Sequence, residues 1–124
     1  MHVGLAIEAE VPAEFLLDTG ADRTVFSKGL LALLGVSPVA TGERLSGLAG
    51  VAEFVTVETP IRLIRESGAP VMFRGRYAAC TEAEALDMSV LGRDITALFA
   101  AIVDQPGDVV FLLGQRHRYR IEQV

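Results

Sequence analysis

The feature that most constrains this chain is a pair of carboxylates set between two apolar segments. Residues 15–27 read FLLDTGADRTVFS, so three large apolar residues run directly into Asp18 and Asp22 before the chain resumes with Thr-Val-Phe. Removing a charge from water is costly unless the charge is paired or hydrogen-bonded, so charged side chains are rarely flanked in this way. The pattern therefore indicates strand ends that hold carboxylates rigidly, and not an ordinary surface turn.

Most of the remaining sequence is typical of short β-strands. The alternation of Val3, Leu5 and Ile7 predicts a half-buried strand near the N-terminus. Further strands are predicted at the apolar and β-branched runs 15–17, 24–26, 51–57, 60–63, 70–81 and 109–113.

Two short helices interrupt the strands. Ser27 is a predicted N-cap for a helix from Lys28 to Leu34, which Gly35 ends. A second helix is predicted where Ile95, Leu98, Phe99 and Ile102 recur at helical spacing, and the sequence VDQPGD at 103–108 ends it in a turn. Many short strands with two short helices predict an all-β domain of barrel-like type.

Composition limits the class of protein. The 124 residues suffice for one domain, predicted over 1–124, and a hydrophobic content of 51% argues against disorder. A net charge of −5 argues against nucleic-acid binding driven by phosphate contacts. The longest apolar run, 95–103, is too short to span a bilayer, and no leader-like segment is recognised, so a cytoplasmic location is expected.

The cysteine and the histidines give no sign of a metal site. Cys80 has no partner for an internal disulfide and reads as a small buried apolar residue. His2 and His117 stand at opposite ends of the chain, without neighbouring ligands at useful spacing. No metal is expected.

Three motifs occur in one order along the chain. Asp-Thr-Gly-Ala-Asp at 18–22 follows a buried strand, and Gly-Leu-Ala-Gly at 47–50 sits at a predicted hairpin tip. Val-Leu-Gly-Arg-Asp at 90–94 precedes the second helix. Over about residues 3–105 the chain resembles the retropepsin-like aspartic proteases, the group of retroviral proteases and their single-domain relatives, in its bacterial and cellular branch.

The resemblance implies a fold and an assembly. The expected fold is a retropepsin-like acid protease barrel with a flap hairpin and two short helices, one lobe per chain. Asp-Thr-Gly occurs once in the sequence, and the segments DMS at 87–89 and DQP at 104–106 do not repeat it. A pair of catalytic aspartates therefore requires a homodimer, in which a second copy supplies the other Asp18. No cofactor is implied.

The resemblance also assigns roles to individual residues. The catalytic segment would be Asp18, Thr19 and Gly20, with Thr19 bonding across the dimer axis and the Gly20 carbonyl binding substrate backbone. Arg93 would give structural support by pairing with Asp22. The residues expected to contact substrate are Ala21, Asp22, Arg23, Val25, Gly47, Leu48, Ala49, Met88 and Val90.

Several of these residues have an alternative interpretation. Val25 and Val90 could equally be core residues, and Met88 could fill a gap in packing. The ion pair of Arg93 could be purely structural. The tip at Leu48 could be a flexible hairpin without a role in substrate binding.

The chain departs from the retroviral pattern at four places. Arg23 stands where many retroviral enzymes have an acid, which favours acidic substrate residues nearby, and Ala49 replaces a common flap glycine. The helix at 27–35 is more typical of cellular and bacterial relatives. Residues 109–124 extend past the retroviral end as extra strands, which puts the usual dimer interface of terminal strands in doubt. Within them, Arg116, Arg118 and Arg120 share one strand face, either as a solvated surface or as a contact for the acidic surface of a partner subunit.

The resulting hypothesis is a homodimeric aspartic endopeptidase that cleaves peptide or protein substrates between apolar residues. A second hypothesis is a dimeric binding or scaffold module of the same fold with little or no proteolysis. A third is a domain that processes only its own parent polypeptide.

Overall fold

A computed structural model describes most of the chain. The described residues are 2–4, 10–47, 50–64, 69–82, 86, 88–114 and 122–123. They are mainly β-structure with two short helices. No helix in these ranges is long and apolar enough to cross a membrane.

The strands follow the apolar runs of the sequence. They are β1 (His2–Gly4), β2 (Glu10–Pro12), β3 (Phe15–Leu17), β4 (Val25–Phe26), β5 (Ala40–Gly47), β6 (Gly50–Leu63), β7 (Val71–Cys80), β8 (Ser89–Leu91), β9 (Ala100–Asp104) and β10 (Val109–Leu113). The helices are α1 (Lys28–Leu34) and α2 (Arg93–Thr96).

The main sheet has the order β2-β1-β6-β7-β4-β8-β3, and β5 pairs with β6 off this path. β3 pairs with β8 in parallel, with Leu17 opposite Leu91. β4 pairs with β7 in parallel and meets β8 at Val25 and Val90. Two segments that are about 70 residues apart in sequence, 15–26 and 89–94, thus lie side by side.

The predicted first helix is confirmed. The Ser27 hydroxyl accepts a hydrogen bond from the Leu30 amide, and Gly35 closes the helix in the left-handed conformation at φ 63°. Leu30 and Leu34 are the buried residues of α1, and both belong to the main core with Phe26.

The core lies where β4, β6, β7, β8 and the helices meet. Phe26 is fully buried, stacks on Tyr77 and meets Phe15 edge to face. Cys80 is buried beside Phe54, as predicted for a small apolar residue. Among the described residues, no three His, Cys, Asp or Glu side chains cluster as a metal ion would require.

The second helix is shorter than its apolar spacing predicts. α2 ends at Thr96, and Ile102 lies on β9, so the prediction of a helix reaching Ile102 is wrong. After Thr96 the chain makes one further turn, in which the Leu98 amide donates to the Ile95 carbonyl and the Phe99 amide donates to the Thr96 carbonyl. The chain then becomes extended. β-branched residues at 102 and 103 favour a strand, and pairing with β10 settles the competition.

The C-terminal region forms a separate two-stranded sheet. β9 and β10 pair from Ala100 opposite Leu113 to Asp104 opposite Val109, which confirms the strand predicted at 109–113. The predicted basic face of Arg116, Arg118 and Arg120 lies outside the described residues, as does His117. The boundaries of one domain over 1–124 stay a prediction.

Burial of Tyr77 makes stability depend on pH in the alkaline range. Burial, and secondarily the negative charge of Asp94, raises the pKa of Tyr77 from 10.0 to about 12. The folded protein therefore retains the phenol proton where the unfolded chain loses it, so this group leaves stability unchanged below pH ~10. Between pH ~10 and ~12 we expect the free energy of unfolding to fall by about 1.4 kcal/mol per pH unit.

Denaturant titrations at several alkaline pH values check this expectation. Tyr77→Phe serves as the comparison, because it lacks the titrating group and keeps the ring. The difference in slope between the two proteins isolates Tyr77 from the other titrating groups. Equal slopes would contradict the assignment.

Candidate active site

Asp18 begins a tight turn at the end of β3. Its amide donates to the Leu91 carbonyl of β8 at 3.1 Å, which continues the pairing of these parallel strands by one bond. Its carboxylate Oδ1 accepts from the Gly20 amide at 2.9 Å, and its carbonyl accepts from the Ala21 amide at 3.2 Å. Both the backbone and the carboxylate of the half-buried Asp18 are therefore fixed by the turn itself.

The residues after Asp18 are open to solvent. Thr19 and Gly20 are exposed, and Ala21 is half-buried. A Cβ added at Gly20 would lie 3.1 Å from the Asp18 Oδ1, so a side chain there would crowd the carboxylate. The turn therefore presents a carboxylate and two exposed residues at the edge of the main sheet, because β3 is the last strand in its order.

A second attachment joins the turn to the start of α2. The Arg93 amide donates to the Ala21 carbonyl at 2.8 Å, and the Arg93 guanidinium forms an ion pair with the Asp22 carboxylate. The side chains are 55% and 77% exposed, so this pair adds at most about 1 kcal/mol to stability. Its geometric effect is to hold the far end of the turn against the segment after β8.

A third attachment involves two residues to which the sequence analysis assigned no role, Thr24 and Asp94. The Thr24 amide donates to both carboxylate oxygens of Asp94 at 3.0 Å, and the Thr24 hydroxyl donates to Oδ1 at 2.6 Å. The same hydroxyl accepts from the Gly92 amide at 3.1 Å. Thr24 is fully buried, so these bonds satisfy polar groups that have no access to water.

The sequence marks each of these two residues, although it does not show that they pair. Thr24 is the polar residue directly before β4, whose residues Val25 and Phe26 are buried. Asp94 follows the apolar strand β8 after Gly92 and Arg93. A buried threonine requires hydrogen-bond partners, and a carboxylate in the adjacent segment can supply them. We call the hydrogen-bonded group of Thr24, Gly92 and Asp94 the Thr24 clasp.

Gly92 allows the two segments to approach closely. A Cβ at this position would lie 2.3 Å and 2.4 Å from the carbonyl carbon and oxygen of Arg23, and 2.8 Å from the Thr24 amide nitrogen. Only glycine leaves room for this contact. The glycine of Val-Leu-Gly-Arg-Asp thus acts through its lack of a side chain, since its φ of −93° is accessible to any residue.

The structure distributes the predicted pocket residues over different environments. Val25 is buried in a cluster with Phe54, Ala78 and Cys80, which favours its interpretation as a core residue. Val90 is half-buried on β8, whereas Met88 just before it is exposed.

Arg23 lies on the exposed side of the turn. Its guanidinium carbon is 5.2 Å from the centroid of the buried Phe54 ring, a cation–π distance that holds the positive charge beside the turn. No carboxylate of the described residues forms an ion pair with Arg23, whereas the neighbouring Asp22 pairs with Arg93.

The predicted cover corresponds to a β-hairpin. β5 and β6 pair in antiparallel fashion up to Gly47 opposite Gly50. The tip residues Leu48 and Ala49 lie outside the described residues. The role of the β5–β6 hairpin as a flap over substrate stays a prediction.

The comparisons with known proteins agree with this architecture. No protein-family model matches the chain, and no curated protein matches it. Among solved structures, it is similar to EIAV protease complexed with the inhibitor HBY-793, with 25% sequence identity and a TM-score of 0.53. The match covers 69% of this chain and 75% of that protease. The predominantly β chain therefore has a retropepsin-like fold, similar to that of this protease.

Proposed function

We propose that this chain is an aspartic endopeptidase that hydrolyses peptide bonds as a homodimer. One observation carries the proposal. Asp18 opens an Asp-Thr-Gly turn whose carboxylate is oriented by the Gly20 amide, and this turn lies in a fold similar to that of a protease. The carboxylate is thus preorganised at a solvent-accessible sheet edge, as a general base for hydrolysis must be.

The chemistry requires two carboxylates with different protonation states. Hydrolysis of an amide needs a base to take a proton from the attacking water and an acid to protonate the leaving nitrogen. Two carboxylates held close together share one proton, because both cannot be ionised at that separation, and this arrangement is characteristic of aspartic proteases. A pair of Asp18 side chains, one from each copy, would supply both groups.

The proposed reaction has no covalent enzyme intermediate. The ionised Asp18 accepts a proton from water as the water oxygen bonds to the peptide carbonyl carbon, and the protonated Asp18 of the second copy donates to the carbonyl oxygen. The tetrahedral species then gives a hydroxyl proton to the ionised Asp18 of the second copy, the first Asp18 gives its newly acquired proton to the nitrogen, and the C–N bond breaks. The starting protonation of the pair is thereby restored. The products are a carboxylic acid and an amine, so the atoms of peptide and water are all accounted for.

The turn is suited to this task because it is attached at three places to β8 and to the start of α2. The Leu91 carbonyl holds its start, the Arg93 amide and side chain hold its end, and the Thr24 clasp fixes the strand that follows. Small misplacements of a catalytic group reduce rates strongly, so a rigid mounting favours catalysis. We assign these groups a positioning role.

The proposed substrate is a peptide with apolar residues at the cleavage site. Met88 supplies an exposed apolar side chain beside β8, and Val90 is half-buried on that strand. Arg23 adds an exposed positive charge next to the turn, which favours an acidic residue elsewhere in the peptide. Thr19 keeps its proposed hydrogen bond across the dimer axis. The proposed substrate contacts also include Ala21, Asp22, Gly47, Leu48 and Ala49, with Leu48 lining a side-chain pocket.

The test is cleavage of a diverse peptide library at high protein concentration, between mildly acidic and neutral pH, with cut sites identified by mass spectrometry. We expect cuts between apolar residues and a specific activity that falls on dilution, since a single chain carries half of the catalytic pair. A specific activity that does not fall on dilution below the dissociation constant of the dimer would contradict the need for two chains. No cleavage by a protein that is dimeric in solution would overturn the proposal in favour of a binding module.

A further inference from the structure

The hairpin formed by β9 and β10 stands apart from the main sheet. In the part of the chain that the structure describes, the two strands pair only with each other. Apart from Asp104 at the end of β9, their sequences are AAIV at 100–103 and VVFLL at 109–113, without a polar or charged residue. The acidic residues Asp104 and Asp108 are confined to the end of the hairpin that carries the turn.

Both faces of this hairpin are apolar and open to solvent. The cross-strand partners Val103 and Val110 lie on one face, and the partners Ile102 and Phe111 lie on the other. All four side chains are between 44% and 58% exposed. Leu98, which immediately precedes the hairpin, is exposed as well.

An isolated hairpin of this kind is not a stable end state. A two-stranded sheet is marginally stable in water unless further strands or another packing surface cover it. Within the described ranges, neither outer edge of the hairpin pairs with another strand, and an unpaired edge invites pairing with another chain. Contiguous exposed apolar surface of this kind marks an interaction site.

We propose that the β9–β10 hairpin is the contact surface between two copies of this chain. The inference rests on the proposed function, because one Asp18 per chain makes the site incomplete without a second copy. A two-fold contact places the same patch on both sides, and an uncharged apolar patch can meet itself without like-charge repulsion. The absence of charged residues from 100–103 and 109–113 argues against an acidic or basic partner.

The connection between the hairpin and the site supports the same partner. The hairpin begins at Ala100, four residues after α2 ends, and Arg93 at the start of α2 is bonded to the Ala21 carbonyl of the catalytic turn. The short segment 97–99 is itself anchored, since Phe99 packs edge to face on Phe73. A partner that binds the hairpin is therefore connected to the Asp18 turn through only the segment 97–99 and α2.

Two hairpin variants and one control test the proposal. Val103→Lys and Phe111→Lys place a charge on opposite faces of the hairpin, and Leu33→Lys places one on α1, where the side chain is 68% exposed. Sedimentation equilibrium over a range of concentrations gives the dissociation constant of each protein. We expect a wild-type dimer, at least ~100-fold weaker association in one or both hairpin variants, and a change below ~3-fold in the control.

Hydrogen exchange provides a second readout on the unaltered protein. Amides of β9 and β10 should exchange faster when wild-type protein is diluted below its dissociation constant, while amides of β6 and β7 should not change. This measurement decides the matter if a lysine variant fails to fold. Three results would overturn the proposal. They are a monomeric wild type, folded hairpin variants with the dissociation constant of the wild type, and exchange rates of the β9 and β10 amides that do not change on dilution.

The outcomes separate this inference from the proposed activity. If both folded hairpin variants still dimerise and still cleave peptides, the hairpin interface is refuted and the proposed protease activity is supported. Loss of the dimer in the hairpin variants, in a protein that cleaves no peptide, would support the interface and refute the protease.

Discussion

The Asp18→Asn protein is expected to fold normally and to lose peptide-bond hydrolysis. An asparagine amide oxygen can still accept the hydrogen bond from the Gly20 amide that Asp18 Oδ1 accepts at 2.9 Å, so the turn should keep its geometry. Asparagine cannot take a proton from water. General acid–base groups contribute roughly 10²- to 10⁴-fold to rates, and we therefore expect kcat/KM to fall by at least about 100-fold.

The matched control is Glu58→Gln, which removes one negative charge from an exposed pair with Arg76 on the neighbouring strand. It should leave kcat/KM within about twofold of wild type and change stability by less than ~1 kcal/mol. Urea unfolding of all three proteins tests whether the fold is kept. Equal cleavage by the wild type and Asp18→Asn would rule out Asp18 as the catalytic base.

Gly92→Ala is expected to lower the free energy of unfolding by more than about 3 kcal/mol. The added methyl group would lie 2.3 Å from the carbonyl carbon of Arg23, which is backbone and cannot rotate away. Moving that backbone would disturb the bonds of the Thr24 clasp and the bond from the Arg93 amide to the Ala21 carbonyl. Because the turn that carries Asp18 is attached there, any folded Gly92→Ala protein should also have lower kcat/KM if Asp18 acts as proposed.

Gly29→Ala is the control for this substitution. Gly29 lies in α1, and the nearest heavy atom to an added Cβ is the Ser27 hydroxyl at 4.0 Å. Alanine in a helix is favoured over glycine by about 0.5–1 kcal/mol, so this variant should be slightly more stable than wild type. Comparing urea midpoints of the three proteins gives the result, and a Gly92→Ala midpoint within error of wild type would contradict the close contact.

The parts of the fold that local sequence signals determine could be predicted. Ser27 and Gly35 mark the ends of α1 because a cap hydroxyl and a left-handed glycine are local requirements. Apolar runs located β3, β4, β6 and β7, because strands buried on one or both faces leave that pattern in the sequence. The retropepsin-like fold followed from the order of three motifs, none of which would be specific alone.

The remaining features depend on contacts between distant segments. The spacing of Ile95, Leu98 and Phe99 is the same for a helix as for a short turn followed by a strand, and pairing with β10 decides for the strand. Asp94 could not be matched to Thr24 from sequence, because the two are 70 residues apart and meet only when β3 and β4 flank β8. The core position of Val25 was left open for the same reason.

The most direct test of the central claim is a mixing experiment with wild-type and Asp18→Asn chains. Total chain concentration is held constant above the dissociation constant, subunits are allowed to exchange fully, and peptide cleavage is measured against the fraction of wild-type chains. If each site needs Asp18 from both copies, activity follows the square of that fraction, and an equal mixture retains roughly one quarter of wild-type activity. Retention of about one half would mean that each chain acts alone, and would contradict the paired-aspartate account.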